Sequence, residues 1–215
     1  MTVSRRNALG QIAARTALLP IAGSLLLAGR AFAAPKPTPF TDIGPFYPVT
    51  RPLDDDSDLT MIKRGKIALG KVIEVSGRVL DMRGAPIAGS RVELWQANAA
   101  GRYAHAGDTG SGAIDPNFQG YGLIRTDRLG RYRYLTIMPG AYSDGDSSPR
   151  PPHVHLDISG RNDRLITQMI FPGNPLNDSD DVLARTDRSL LTARDRGLSA
   201  AGARRYEWDV ILANG

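Results

Sequence analysis

Arg150-Pro151-Pro152-His153-Val154-His155-Leu156-Asp157-Ile158 is the stretch on which the chain turns. Prolines bound it, and polar and apolar residues alternate along it. Strand side chains point to opposite faces in turn, so His153 and His155 face the same way. Val154, Leu156 and Ile158 then face the other way and predict a core-facing side. Two imidazoles on one face of a rigid strand can share one metal ion. The plain alternative is a polar strand face with two solvated histidines.

Similar signals surround this strand. Val72 to Leu80 is a β-branched run that ends in the turn Arg83-Gly84-Ala85-Pro86. Arg91 to Trp95 alternates, as do Gly122 to Thr126 and Arg131 to Ile137, which a turn at Asp127 to Gly130 joins. Leu165 to Phe171 and Tyr206 to Leu212 complete the set. Short strands separated by Gly, Pro and Asp turns predict an all-β antiparallel sandwich over residues 71–215. Residues 181–197 are polar with few apolar anchors and read as a short helix or a long loop. Residues 34–70 are Pro-rich and read as an extended N-terminal arm. Within the arm, Phe46 and Tyr47 lie between prolines, and both are expected to pack, because an exposed aromatic pair is unfavourable.

The first 33 residues have a different character. Ser4-Arg5-Arg6 precedes an apolar run from Thr16 to Gly29 and then Ala31-Phe32-Ala33-Ala34. A charged start, an apolar middle and a small-x-small cleavage site predict an export signal. The run is 14 residues long, short of the about 20 that span a bilayer. No stable membrane span is therefore expected once the signal is cleaved. Ser-Arg-Arg-Asn-Ala-Leu resembles a twin-arginine signal and predicts a periplasmic protein. Removing the four arginines of this leader lowers the net charge from +5 to about +1, which gives no basic patch for nucleic acid. The chain has no cysteine, so any metal must be held by His, Tyr, Asp or Glu.

His105 is the third histidine of the chain and leaves open a three-histidine zinc site with a position for water, hence a hydrolase. Tyr103 and Tyr142 each follow a predicted strand, where loops present functional groups. Phenolate is a hard anionic donor that suits ferric iron better than zinc. Two phenolates and two imidazoles would neutralise much of the charge of Fe(III).

At this point the order of motifs resembles the intradiol ring-cleavage dioxygenases, above all the protocatechuate 3,4-dioxygenase branch. The matching stretches are Val92-Glu93-Leu94-Trp95-Gln96-Ala97-Asn98, Gly101-Arg102-Tyr103, Asp115-Pro116-Asn117-Phe118 and Ile137-Met138-Pro139-Gly140-Ala141-Tyr142. Arg150-Pro151-Pro152-His153-Val154-His155 and Leu165-Ile166-Thr167-Gln168 continue the match. The resemblance implies non-haem Fe(III) held by Tyr103, Tyr142, His153 and His155, with His105 outside the set. It implies cleavage of a catechol-type ring by O2 between the hydroxyl-bearing carbons, giving a cis,cis-muconate. It further implies catalytic roles for Arg150, which would steady the ring anion, for Tyr142, which would leave as an internal base, and for Gln168 beside the dioxygen pocket. Ser143-Asp144 stands where that branch has Pro-Trp, which predicts an altered pocket wall. A non-enzymatic transthyretin-like β-sandwich binding module is the competing class. A homo-oligomer is compatible with either.

Overall fold

Strand propensity dominates the computed structural model, which describes residues 35–52, 55–62, 65–143 and 149–215. The proposed leader and Asp144 lie outside these residues. Nine strands follow one another among the described residues. They are β1 (Val72–Leu80), β2 (Arg91–Trp95), β3 (Tyr121–Arg125), β4 (Arg131–Ile137), β5 (His153–Ser159), β6 (Arg164–Ile170), β7 (Arg194–Leu198), β8 (Arg204–Glu207) and β9 (Val210–Ile211). The only helical pieces described are three 3₁₀ turns, Pro175–Asp178, Leu183–Arg185 and Arg188–Leu190.

The strands form two sheets. One has the order β4-β1-β8-β7, with β9 also pairing β1. It is mixed, because β8 and β9 both run parallel to β1. The other, β3-β2-β5-β6, is antiparallel throughout. Alternation sends Val92 and Leu94 of β2 and Val154, Leu156 and Ile158 of β5 into one core with Val75 and Val79 of β1 and Tyr134 and Ile137 of β4. Full burial of each such aliphatic side chain stabilises the fold by roughly 1.5–3 kcal/mol.

Two expectations change. The stretch read as a loop or short helix over 181–197 holds two 3₁₀ turns, Leu183–Arg185 and Arg188–Leu190, but its end enters β7, an edge strand whose five residues are all exposed. Its lack of any apolar face removed the usual signal; backbone pairing with β8 and the ion pair of Asp195 with Arg204 hold it. The single strand read from Tyr206 to Leu212 is interrupted at Trp208 and Asp209. There the Trp208 carbonyl accepts from Tyr132 Oη at 2.6 Å and sits so close to Gly77 that a Cβ would collide with it.

The arm is laid across both sheets. Thr38 N–H donates to the Ile211 carbonyl of β9, and Thr41 N–H to the Ile166 carbonyl of β6, each at 3.0 Å. Leu59 is fully buried in the main core. As expected, Phe46 and Tyr47 pack inward, on the far side of the antiparallel sheet.

Candidate metal centre

That far side of β2 and β5 is buried too, by side chains of another kind. Glu93 and Trp95 project from β2, and His153, His155 and Asp157 from β5. Register pairs Trp95 with His155, and His155 with Gln168 of β6. A smaller cluster of Phe46, Trp95, Ala97, Tyr103, Tyr121 and Tyr142 covers this face.

The two tyrosines reach it from loops that are tied together. Asn98 Oδ1 accepts from the N–H groups of Ala100 and Arg102, closing a tight turn, with Gly101 at φ 72°. Gly101 must be glycine for a second reason, since a Cβ there would strike the Ala141 carbonyl oxygen. Gly140 N–H donates to the Asn98 carbonyl at 2.9 Å, which locks the loop bearing Tyr142 onto the loop bearing Tyr103. The buried Asp108 carboxylate accepts from Tyr103 N–H at 2.7 Å and is paired with Arg102. Tyr142 in turn exchanges backbone hydrogen bonds with Arg150, just ahead of β5.

Tyr103, Tyr142, His153 and His155 therefore meet. Their ring centroids are 5.3 Å apart for Tyr103 and Tyr142, 5.4 Å for Tyr142 and His153, and 4.7 Å for His153 and His155. All four are almost wholly buried. Nε2 of His153 lies 3.0 Å from Nε2 of His155. Two nitrogens, each about 2.1 Å from a shared ion and at a right angle, would be about 3.0 Å apart. Among the described residues Tyr103 Oη has no hydrogen-bond partner, although the Ala97 backbone lies near enough to favour its phenolate. A buried polar group without a partner costs about 1–3 kcal/mol, and a cation bound among these atoms would remove that penalty.

Electrostatics favour the same use. Burial, then the Arg150 charge, lowers the His153 pKa to about 3, while burial, then His153 and Arg150, holds His155 well below its usual range. Both imidazoles are thus neutral, as metal ligands must be. Burial foremost, then the nearby Tyr142, holds the Tyr103 phenol well above its ordinary range. Its deprotonation therefore requires a strong local positive charge. Hard oxygen donors with neutral imidazoles fit a ferric ion.

Arg150 flanks the group, with Cζ 6.0 Å from the Tyr142 ring centroid. Its Nε donates to Asp180 Oδ2 at 2.8 Å, and its Nη2 to Gln168 Oε1 at 3.1 Å. Burial opposes its charge, but the hydrogen bonds and charges of Asp180 and Tyr142 outweigh that and raise its pKa. Gln168 Nε2 is buried without a partner among the described residues. Asp180 escaped the sequence reading because nothing in Asp178-Ser179-Asp180-Asp181 separates it from the other acids of that turn.

His105 does not join the centre, which corrects the three-histidine alternative. It packs on Phe46 with centroids 5.8 Å apart, and its Nδ1 accepts from Gly107 N–H. Among the described residues no three His, Asp or Glu side chains are grouped to hold a metal, and none of their helices is long and apolar enough to cross a membrane.

The chain has relatives among known proteins. Residues 43–214 match the family model described as dioxygenase. The chain is 44% identical over 173 residues to the protocatechuate 3,4-dioxygenase beta chain of Burkholderia cepacia, covering 75% of this chain and 72% of that one. It is 31% identical over 166 residues to the hydroxyquinol 1,2-dioxygenase of Rhizobium sp. strain MTP-10005, covering 70% of this chain and only 53% of that longer protein. The fold is similar to crystalline 3-chlorocatechol 1,2-dioxygenase from Rhodococcus opacus 1CP, with a TM-score of 0.66 and 25% identity over 82% of this chain and 73% of that one.

Proposed function

This chain belongs to the intradiol ring-cleavage dioxygenase family, and from that premise we propose that it opens a catechol-type ring at a ferric ion held by Tyr103, Tyr142, His153 and His155. Convergence of these four buried side chains is the observation that carries the reading. Ferric iron bound there would supply a Lewis acid for the two catechol oxygens and make the ring itself reactive toward O2. The chain does the rest. Burial keeps the histidine lone pairs unprotonated and available. Tyr142, as a phenolate, would take up one of the two catechol protons. Arg150 holds a fixed positive charge beside that oxygen and steadies the ring anion as it develops. Asp180 and Gln168 keep the guanidinium in place. The loops over the centre exclude water, which strengthens each of these interactions. Both oxygen atoms enter the product, so a catechol plus O2 gives a cis,cis-muconic acid with atoms in balance.

The substrate class comprises protocatechuate, catechol and hydroxyquinol, and the 44% identity to a protocatechuate enzyme's beta chain puts protocatechuate first. Purified, iron-loaded protein given each of these with O2 is expected to form the corresponding muconate. A yellow semialdehyde, formed by cleavage beside the hydroxyls, refutes the intradiol assignment for this chain's centre. The leader adds export by the twin-arginine route: lysine at both Arg5 and Arg6 should leave precursor in the cytoplasm, and normal export of that variant refutes the route.

A further inference from the structure

The two histidines of the centre are held by different means. His153 has the usual device for a ligating imidazole, because its Nδ1 lies 2.7 Å from the Pro151 carbonyl and donates to it. That bond fixes the ring and points Nε2 at the centre. His155 is equally buried, yet no described protein group pairs with its Nδ1. Its ring is caged instead. The Trp95 indole lies parallel to it, with 6° between the planes and 4.9 Å between the centroids. Gly44, at φ 74°, closes one edge, and a Cβ there would come within 3.2 Å of His155 Cε1.

The cage has a buried foundation. Tyr47 meets the Trp95 ring edge-on, at 5.0 Å and 89°. Its Oη donates to Glu93 Oε2 at 2.7 Å. Tyr121 Oη donates to the same oxygen at 2.7 Å, and Arg51 and Arg91 pair with Glu93 Oε1. Burial pushes the Tyr121 phenol up to about 12, so it remains a donor. Glu93 itself has no exposed side-chain surface. A carboxylate buried this deeply is tolerated only when fully paired, and here the pairing ties the arm to β2 directly behind Trp95.

We infer that Trp95, pinned by Tyr47 and Glu93, is the positioning residue for His155 and replaces the missing hydrogen bond at Nδ1 by stacking. Swinging the imidazole out of its plane would drive it into the indole, so the stack restricts the rotation that a hydrogen bond restricts for His153. This rests on the ferric site proposed above. It differs from an ordinary packing role because it predicts an effect on the bound ion and not only on folding.

The test uses Trp95→Leu, Trp95→Phe and Tyr47→Phe, each purified without metal, compared with wild type by thermal melting and then loaded with ferric iron. Iron release to a chelator and the EPR spectrum of the ferric site are the readouts. Trp95→Leu should lose iron about 10–100-fold more readily, the usual effect of removing an outer partner of a ligand, with a broadened, heterogeneous EPR signal. Trp95→Phe keeps a ring to stack and should recover most of the wild-type behaviour. Tyr47→Phe should shift both readouts slightly in the direction of Trp95→Leu. Wild-type release and an unchanged EPR signal in a folded Trp95→Leu protein would overturn the inference. If that variant does not fold, wild-type release and an unchanged EPR signal in Tyr47→Phe would overturn it. Wild type that takes up no ferric iron would instead refute the metal reading itself.

Discussion

The two faces of β2 and β5 are both buried, yet they are built on opposite principles. The inner face carries Val92, Leu94, Val154, Leu156 and Ile158, all without measurable exposure and with no polar atom to satisfy. The outer face carries Glu93, Trp95, His153, His155 and Asp157 at the intervening positions. Every polar group there needs a partner, and most have one: Glu93 has two tyrosines and two arginines, and Asp157 has Arg164 at 2.7 Å. Of the eight buried side-chain atoms without a hydrogen-bond partner among the described residues, four gather in one place. Trp95 Nε1, Tyr103 Oη, His155 Nδ1 and Gln168 Nε2 all belong to the centre or touch it. Buried polar groups are ordinarily satisfied, so these four exceptions mark the proposed centre off from the face that only stabilises.

Substitutions on the two faces should therefore separate stability from chemistry. Arg150→Ala is expected to give the largest effect, lowering turnover about 10²–10³-fold, as loss of one preorganised charge typically does. It also leaves Asp180 buried without its cation, a destabilisation of about 3–5 kcal/mol. Adding Asp180→Asn should restore much of the melting temperature without restoring turnover. If both recover together, Arg150 is structural only. Leu156→Ala on the inner face should destabilise by about 2–5 kcal/mol in urea titrations. The visible spectrum of the folded, iron-loaded protein should stay unchanged, and an altered spectrum would mean that the faces are not independent.

Acid provides the gentlest test. His153 has a folded pKa of about 3, against 6.5 for the ordinary side chain, so between these values the unfolded chain binds more protons. The metal-free protein should have the full contribution of this histidine above pH 6.5 and lose it progressively as pH falls toward 3. His153→Gln should flatten that slope in chemical denaturation at several pH values; an unchanged slope would place the titration elsewhere.

Much of this division is legible in the sequence, because a period of two distinguishes Val154 and Leu156 from His153 and His155 without any tertiary information. Strands β1 to β6 carry that signal, and their boundaries agree with the sequence reading to within a residue or two. The exposed β7 has no such pattern, and the parallel pairing of β8 and β9 with β1 is a long-range choice that alternation does not encode. At the site, the resemblance singles out Tyr103 and Tyr142, but the loop contact between Gly101 and Ala141 that brings them together is a matter of packing. Asp180 and the Glu93 foundation were equally hidden, since their partners lie 30 and 46 residues away in the chain.

The most direct test of the outer face as a ferric centre is the visible absorption spectrum of the purified protein, taken with its metal content. Phenolate-to-Fe(III) charge transfer from Tyr103 and Tyr142 should give a red-brown protein with about one iron per chain, and Tyr142→Phe should weaken and shift the band while Tyr103 preserves part of it. A colourless protein carrying stoichiometric zinc, or iron bound with no phenolate band, would contradict it.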